Sequence, residues 1–184
     1  RENCDGYAYD PENPSQHIID MSENEIEVPE DYTREELRQD LLCYTSPVLK
    51  ENLVLTGDMT AELYISSDAP DTDFVVRVTD VDENGRSIKL ADGLLSARYR
   101  NGFARSEFLQ EGEIVCLKIR TTKLSNCFRK GHRIRVTVTS SAKNFIFPNS
   151  NTREGFASAR TVVAHNRVYH GGLHASRLTV RVEP

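Results

Sequence analysis

Tryptophan is absent from this 184-residue sequence, so seven Tyr and seven Phe must supply the aromatic part of any core. The same absence weighs against a sugar-binding platform, which leans on large flat aromatics. No uninterrupted apolar stretch approaches the roughly 18 residues of a transmembrane helix, so no membrane partner is expected. Cysteine is sparse: Cys4, Cys43, Cys116 and Cys127 have irregular spacings and form no CxxC pair for a metal or redox centre. Four free thiols are expected, with Cys43 and Cys116 buried because they sit inside apolar runs. The N-x-[ST] match, Asn13-Pro14-Ser15, is blocked by its proline. A basic n-region followed by an apolar h-region is missing from the first residues. These absences predict a reducing, cytoplasmic location. A chain beginning at Arg1 is expected to be part of a longer protein, and a signal on that parent stays open.

Catalytic signatures are missing too. There is no G-x-S-x-G elbow, P-loop or dinucleotide fingerprint, so neither a catalytic residue nor a cofactor is expected in this chain. Ser140 and Ser141 end a strand pattern without the glycines that expose a nucleophile on a sharp turn. His132, His165, His170 and His174 then read as hydrogen-bonded structural residues near turns. In His170-Gly171-Gly172-Leu173-His174 the two histidines could share a helix face and bind zinc. The paired glycines each cost about 1 kcal/mol in a helix, so a tight turn into the last strand is expected instead. The cluster Asp68-Ala69-Pro70-Asp71-Thr72-Asp73 offers oxygen ligands for calcium but lacks the EF-hand spacing. An Asx-type turn around Pro70 is the expectation, and no metal is assigned.

What is present is charge of uneven sign and a period of two. Residues 1–58 carry 15 Asp/Glu against 4 Lys/Arg, and residues 59–184 carry 13 against 19. The arginines are spread singly along strands, so an acidic arm neutralising a basic body is expected, not a nucleic-acid face. Residues 1–39 read as that extended arm. Two prolines shape its start, residues 26–29 suggest a short strand, and Thr33 with Glu36 resembles a capping box opening a short helix through Gln39. Residues 40–184 read as one domain.

In that domain Met59, Ala61, Leu63 and Ile65 share one parity, and so do Val115, Leu117 and Ile119. Ile134, Val136 and Val138 face inward against Arg133, Arg135, Thr137 and Thr139 outward; Leu178, Val180 and Val182 repeat the device. Residues 74–81 are a β-branched run, apolar on both parities at Val75-Val76, which suggests a central strand, and Asn84-Gly85 supplies a hairpin turn needing positive φ. At least seven strands and no long amphipathic helix predict an all-β antiparallel sandwich with Leu63, Ile65, Val76, Val136, Val138 and Val180 in one core. Long connections near 94–113 and 142–159 suit a jelly roll or Greek key. Within residues 142–152, Phe145, Ile146 and Phe147 cannot all face one way. Either one is exposed or covered from outside, or all three tuck under the loop.

Several strings carry a resemblance. Asp40-Leu41-Leu42-Cys43-Tyr44-Thr45-Ser46-Pro47, Ser66-Ser67-Asp68-Ala69-Pro70-Asp71-Thr72-Asp73-Phe74 and Asp92-Gly93 are three of them. Ala97-Arg98-Tyr99-Arg100, Phe128-Arg129-Lys130-Gly131-His132-Arg133-Ile134-Arg135, Ser140-Ser141 and His174-Ala175-Ser176-Arg177-Leu178 continue the match. Tyr9-Asp10-Pro11-Glu12-Asn13-Pro14 is similar to the segment that leads in. Together they resemble the C-terminal domain of the Xaa-Pro dipeptidyl-peptidase and cocaine-esterase hydrolase family. That resemblance implies a jelly-roll (galactose-binding-like) β-sandwich appended to an α/β-hydrolase domain, which holds the Ser–Asp–His triad and takes a small ester or peptide substrate. It further implies that the loop after Ser141 leans over the substrate cleft, making Asn144, Phe145, Phe147, Asn149 and Asn151 the candidate cleft residues. The family's Asn-Phe-Pro after the serines is replaced here by Ala142-Lys143-Asn144, and its Gly-Gly stretch between Pro14 and Thr33 is missing. Alternatives of another class are a carbohydrate-binding module, with Tyr standing in for Trp, and an oligomerisation module forming a homo-oligomer.

Overall fold

Side chains that alternate in polarity can bury one face of a strand and wet the other, and this chain uses that device in two facing sheets. The computed structural model describes residues 3–18 and 29–182. Its strands are β1 Cys4–Tyr9, β2 Leu41–Thr45, β3 Leu53–Gly57, β4 Thr60–Ser67, β5 Asp73–Val81 and β6 Ser87–Ser96. They continue as β7 Val115–Arg120, β8 Leu124–Phe128, β9 Arg133–Thr139, β10 Ala164–Gly171, β11 His174–Ala175 and β12 Arg177–Thr179. The larger sheet runs β1-β10-β4-β12, with β7 also on β4 and β11 on β10; the second runs β2-β9-β5-β6, and β3 pairs β8. All these pairings are antiparallel, and neighbours distant in sequence, such as β4 and β10, give the crossed connectivity of a jelly-roll sandwich.

Between the sheets Tyr7, Tyr9, Leu63, Ile65, Phe74, Val76 and Val138 pack as one buried cluster with Leu117 and Ile119. A second cluster gathers Leu55, Met59, Val78, Ala91 and Phe128. Val136 is half-buried against the first cluster. Val180 differs from expectation: β12 ends at Thr179, and Val180 packs against the second cluster. Val182, expected inside, is 53% exposed because it lies beyond the sheet, touching it only through a bridge to Leu55.

The expected hairpin stands between β5 and β6, with Gly85 at φ +84°. Cys43 and Cys116 are not the buried thiols expected. Leu42 and Tyr44 hold the inward parity of β2, and Val115 and Leu117 that of β7, so Cys43 is exposed and Cys116 half-exposed. All four cysteines are free.

The described residues among the first forty are woven into this body. β1 is an edge strand of the larger sheet, and Tyr7 and Tyr9 enter the core. Further on, Gln16 bridges Lys143, and Ser15 exchanges hydrogen bonds with Ser141 and Lys143. Glu30 pairs with Lys89 at 2.9 Å, Asp31 with Arg86 at 2.9 Å, and the Tyr32 ring lies 4.8 Å from the Arg77 guanidinium. Acidic segment against basic sheet is thus realised contact by contact. This cover buries Thr137 and Thr139, which the alternation of β9 had directed to solvent. The expected capping box does not form. Glu35–Leu37 is one 3-10 turn without a side-chain cap, and Glu36 instead accepts hydrogen bonds from Thr79 and Ser87 and pairs with Arg135. Of the short strand expected at 26–29, all but Pro29 lies outside the described residues.

Candidate functional site

At one end of the sandwich three segments converge: residues 68–73, residues 97–109 and the loop 142–160. The loop's root is fixed by small hydroxyls. Ser140 shares a hydrogen bond of 2.7 Å with Tyr7 and accepts one from Asn166 at 2.9 Å. Beyond it the N–H groups of Phe145 and Ile146 both donate to the Ala142 carbonyl, and Asn144 takes φ +78°, a left-handed conformation that Asn tolerates.

Past this turn the loop divides. Asn149 and Asn151 are buried and serve the loop itself. Asn149 Nδ2 donates to Asp71 at 2.8 Å and to Asp73 at 2.9 Å, while its Oδ1 accepts the Asn151 N–H at 2.9 Å. Tyr9 donates its hydroxyl to the Asn149 carbonyl, and Asn151 Nδ2 donates to the Val162 carbonyl. Phe145 and Phe147 face outward, 43% and 84% exposed. Phe145 stacks on His17 of the N-terminal segment, centroids 4.9 Å apart, so one of the three adjacent apolar residues is bare and one half-covered.

Arg98 ties the segments together. Its backbone N–H and its Nε donate to Asp71 at 2.9 and 2.7 Å, and its Nη atoms reach the Thr152 and Arg153 carbonyls. The ring of Phe108 lies against both Arg98 and Arg153. Asp71 and Asp73 therefore do not make the Asx turn expected around Pro70. They accept hydrogen bonds from side chains far along the chain, and Asp68 accepts both the N–H and Nδ1 of His165. Burial pushes the Asp73 carboxyl above its ordinary value, with Asp71 adding to the shift and Asn149 opposing it. Among the described residues no group of three His, Cys, Asp or Glu is placed to hold a metal.

An open groove above this network is lined by Leu94, Tyr99, Phe145, Phe147 and Phe156. Phe156 is 83% exposed, and Phe103, its ring 5.6 Å from Tyr99, is 80% exposed. Such a rim can bury apolar surface against another body. The carboxylates beneath are already engaged, Asp71 by Arg98 and Asn149 and Asp73 by Asn149. Sequence reasoning missed Arg98, Phe103, Phe156 and His17. An aromatic inside a turn-rich connection was the available signal for the two phenylalanines.

The remaining histidines are structural. His132 pairs with Asp80 at 2.9 Å and His170 with Asp5 at 3.1 Å, while His174 packs edge-on against Tyr64 and Tyr169. Residues 170–174 form a β10–β11 turn with Gly172 at φ +64°, as the glycine pair implied.

Comparison with known proteins gives one consistent picture. The family model described as "X-Pro dipeptidyl-peptidase C-terminal non-catalytic domain" matches residues 3–179. The cocaine esterase of a Rhodococcus species is 35% identical over 188 residues, spanning 98% of this chain but 32% of the esterase. Two solved structures share the fold. An α-amino acid ester hydrolase has a TM-score of 0.91 at 23% identity, over 98% of this chain and 32% of its own. An aminopeptidase from a marine sediment archaeon, Thaumarchaeota archaeon, has a TM-score of 0.90 at 24% identity, over 99% and 33%. The chain spans about a third of the length of these relatives.

Proposed function

The chain belongs to the family of X-Pro dipeptidyl-peptidase C-terminal non-catalytic domains, and on that premise we propose that it is the β-sandwich of a larger serine hydrolase. In this reading it packs on an α/β-hydrolase domain and helps to shape that domain's substrate cleft. The parent reaction is transfer of an acyl group from an ester or an Xaa-Pro peptide to water. One observation carries the reading: the exposed aromatics Phe103, Phe147 and Phe156 crowd one end of the sandwich. Contiguous apolar surface of this kind marks an interface. A cytoplasmic location suits four unpaired thiols.

The test uses the parent enzyme and this chain side by side. Phe147→Ala is expected to lower kcat/KM of the parent and to leave the melting temperature of the isolated chain unchanged. The isolated chain is expected to show no turnover of esters or Xaa-Pro amides above a heat-killed control. A parent carrying Ala at 103, 147 and 156 together with undiminished kcat/KM overturns the reading.

A further inference from the structure

Two asparagines of the chain precede glycine, in Asn84-Gly85 and Asn101-Gly102. The order matters because an asparagine side chain can be attacked by the backbone nitrogen that follows it, and glycine has no Cβ to shield that nitrogen. Both pairs are exposed, with Gly85 at φ +84° and Gly102 at φ +119°. Both glycine N–H groups are tied back at 3.0 Å, to the Asp82 and Tyr99 carbonyls. Bonds at such water-exposed tips open locally at little cost.

The side chains set the two pairs apart. Asn101 Nδ2 donates to Glu107 Oε2 at 2.7 Å, which holds its amide on a carboxylate. The Asn84 amide has no such tether among the described residues, and nothing beyond its chain neighbours crowds Gly85.

The surroundings of Asn84 give its chemistry a consequence. The Asp82 carboxylate accepts the N–H groups of Asn84 and Arg86, which fixes the turn. Next along the chain, Arg86 pairs with Asp31 at 2.9 Å. The Ser87 carbonyl accepts the Tyr32 N–H at 2.8 Å, and the Ser87 N–H donates to the Thr33 hydroxyl. This turn therefore sets the register in which β6 clasps residues 31–33.

We propose that Asn84 is a site of self-modification, and that its conversion loosens this clasp. The Gly85 nitrogen gives its proton to hydroxide and bonds to Asn84 Cγ. The Cγ–Nδ2 bond then breaks, and the departing nitrogen takes a proton from water and leaves as ammonia. Water opens the resulting five-membered imide at either carbonyl, leaving aspartate or isoaspartate. Isoaspartate runs the backbone through the former side chain, one carbon longer, and both products set a new carboxylate beside Asp82 and Glu83. The site does not depend on the proposed hydrolase partner.

The experiment incubates the folded 184-residue chain at mildly alkaline pH and follows each asparagine by peptide mass spectrometry, with enzymatic methyl transfer to detect isoaspartate. Asn84 converts first, and faster as pH rises. Asn101 trails it about fivefold, the rate equivalent of one net hydrogen bond, and Glu107→Ala removes that lag. Hydrogen exchange of the Tyr32 N–H quickens in the converted chain, while that of Val138 in β9 does not. Asn84→Gln, which cannot close a five-membered ring, keeps the slow Tyr32 exchange through the same incubation. The proposal is overturned if Asn84 keeps its ammonia while the chain is folded, if Asn101 converts first, or if conversion leaves Tyr32 exchange as it was.

Discussion

Asp71 is buried without solvent contact, and what makes its charge tolerable is the fork of Arg98, whose side chain is itself only 12% exposed. Removing one partner of such a pair leaves the other charged and uncompensated, at a cost of about 3–5 kcal/mol. Arg98→Ala should therefore lower the urea midpoint sharply. Arg98→Lys should recover only part, because an ammonium cannot hold Asp71 and two carbonyls with one planar group. Recovery of full stability by lysine would show that charge alone matters here. Asp73 behaves in the opposite sense. Its folded pKa is raised by burial, so the folded chain holds that proton more tightly than the unfolded chain does. The stabilisation is complete below the unfolded value, about 3.9, and is lost as pH rises through the folded one. Asp73→Asn keeps an acceptor for Asn149 and removes the buried charge. Its stability relative to wild type should grow from pH 4 to pH 8 in thermal melts; a constant or shrinking difference refutes this account.

Among the elements, β6 shows how closely the strands approach one another. A Cβ at Gly93 would collide with the Arg120 carbonyl oxygen, a backbone atom, with no flexible side chain to yield. Gly93→Ala should cost roughly 1–3 kcal/mol in denaturant titration, as overpacking does, and a neutral result means that β6 can shift away from β7. The strands themselves were legible because alternation is a local property. Met59 through Ile65 declare a buried parity, and every apolar member is buried. What covers the opposite face is not local. Thr137, Thr139 and Arg77 look like surface residues in their own strands and become interior only when residues 15–17 and Tyr32 close over them. The candidate loop shows the same divide. That one of Phe145, Ile146 and Phe147 must stand bare follows from adjacency, and Phe147 does. That Asn149 turns inward to bridge Asp71 and Asp73 depends on a pairing 76 to 78 residues distant, which no pattern within the loop encodes.

For the whole molecule, the acidic N-terminal segment and the basic body are one electrostatic unit. Asp92 lies in the contact between them, 2.9 Å from Lys89 and 3.5 Å from His17. Burial alone would raise its pKa, but His17 and Lys89 outweigh burial and hold it at about 2. A depressed carboxyl contributes stability that is present above the unfolded value and lost as pH falls through the folded one. Stability should thus decline progressively from about pH 4 towards pH 2, and less so in Asp92→Asn. The same union decides where the chain can be cut. A boundary before Asp40 suits the change in composition, yet it would remove β1 from the larger sheet and Tyr7, Tyr9 and Tyr32 from buried positions. Burying each such side chain is worth about 1.5–3 kcal/mol. Three together rival the roughly 5–15 kcal/mol that separates a folded domain from its unfolded chain. Their loss would also uncover Arg77 and Thr139, polar groups placed for an interior. A fragment of residues 40–184 should therefore show collapsed amide dispersion and no cooperative melt, while the full chain melts in one transition. Adding a peptide of residues 1–39 in trans should restore dispersion in proportion to its concentration. A cooperative melt of the fragment at the temperature of the full chain would mean that the sandwich closes without β1, and that the N-terminal segment is only draped upon it.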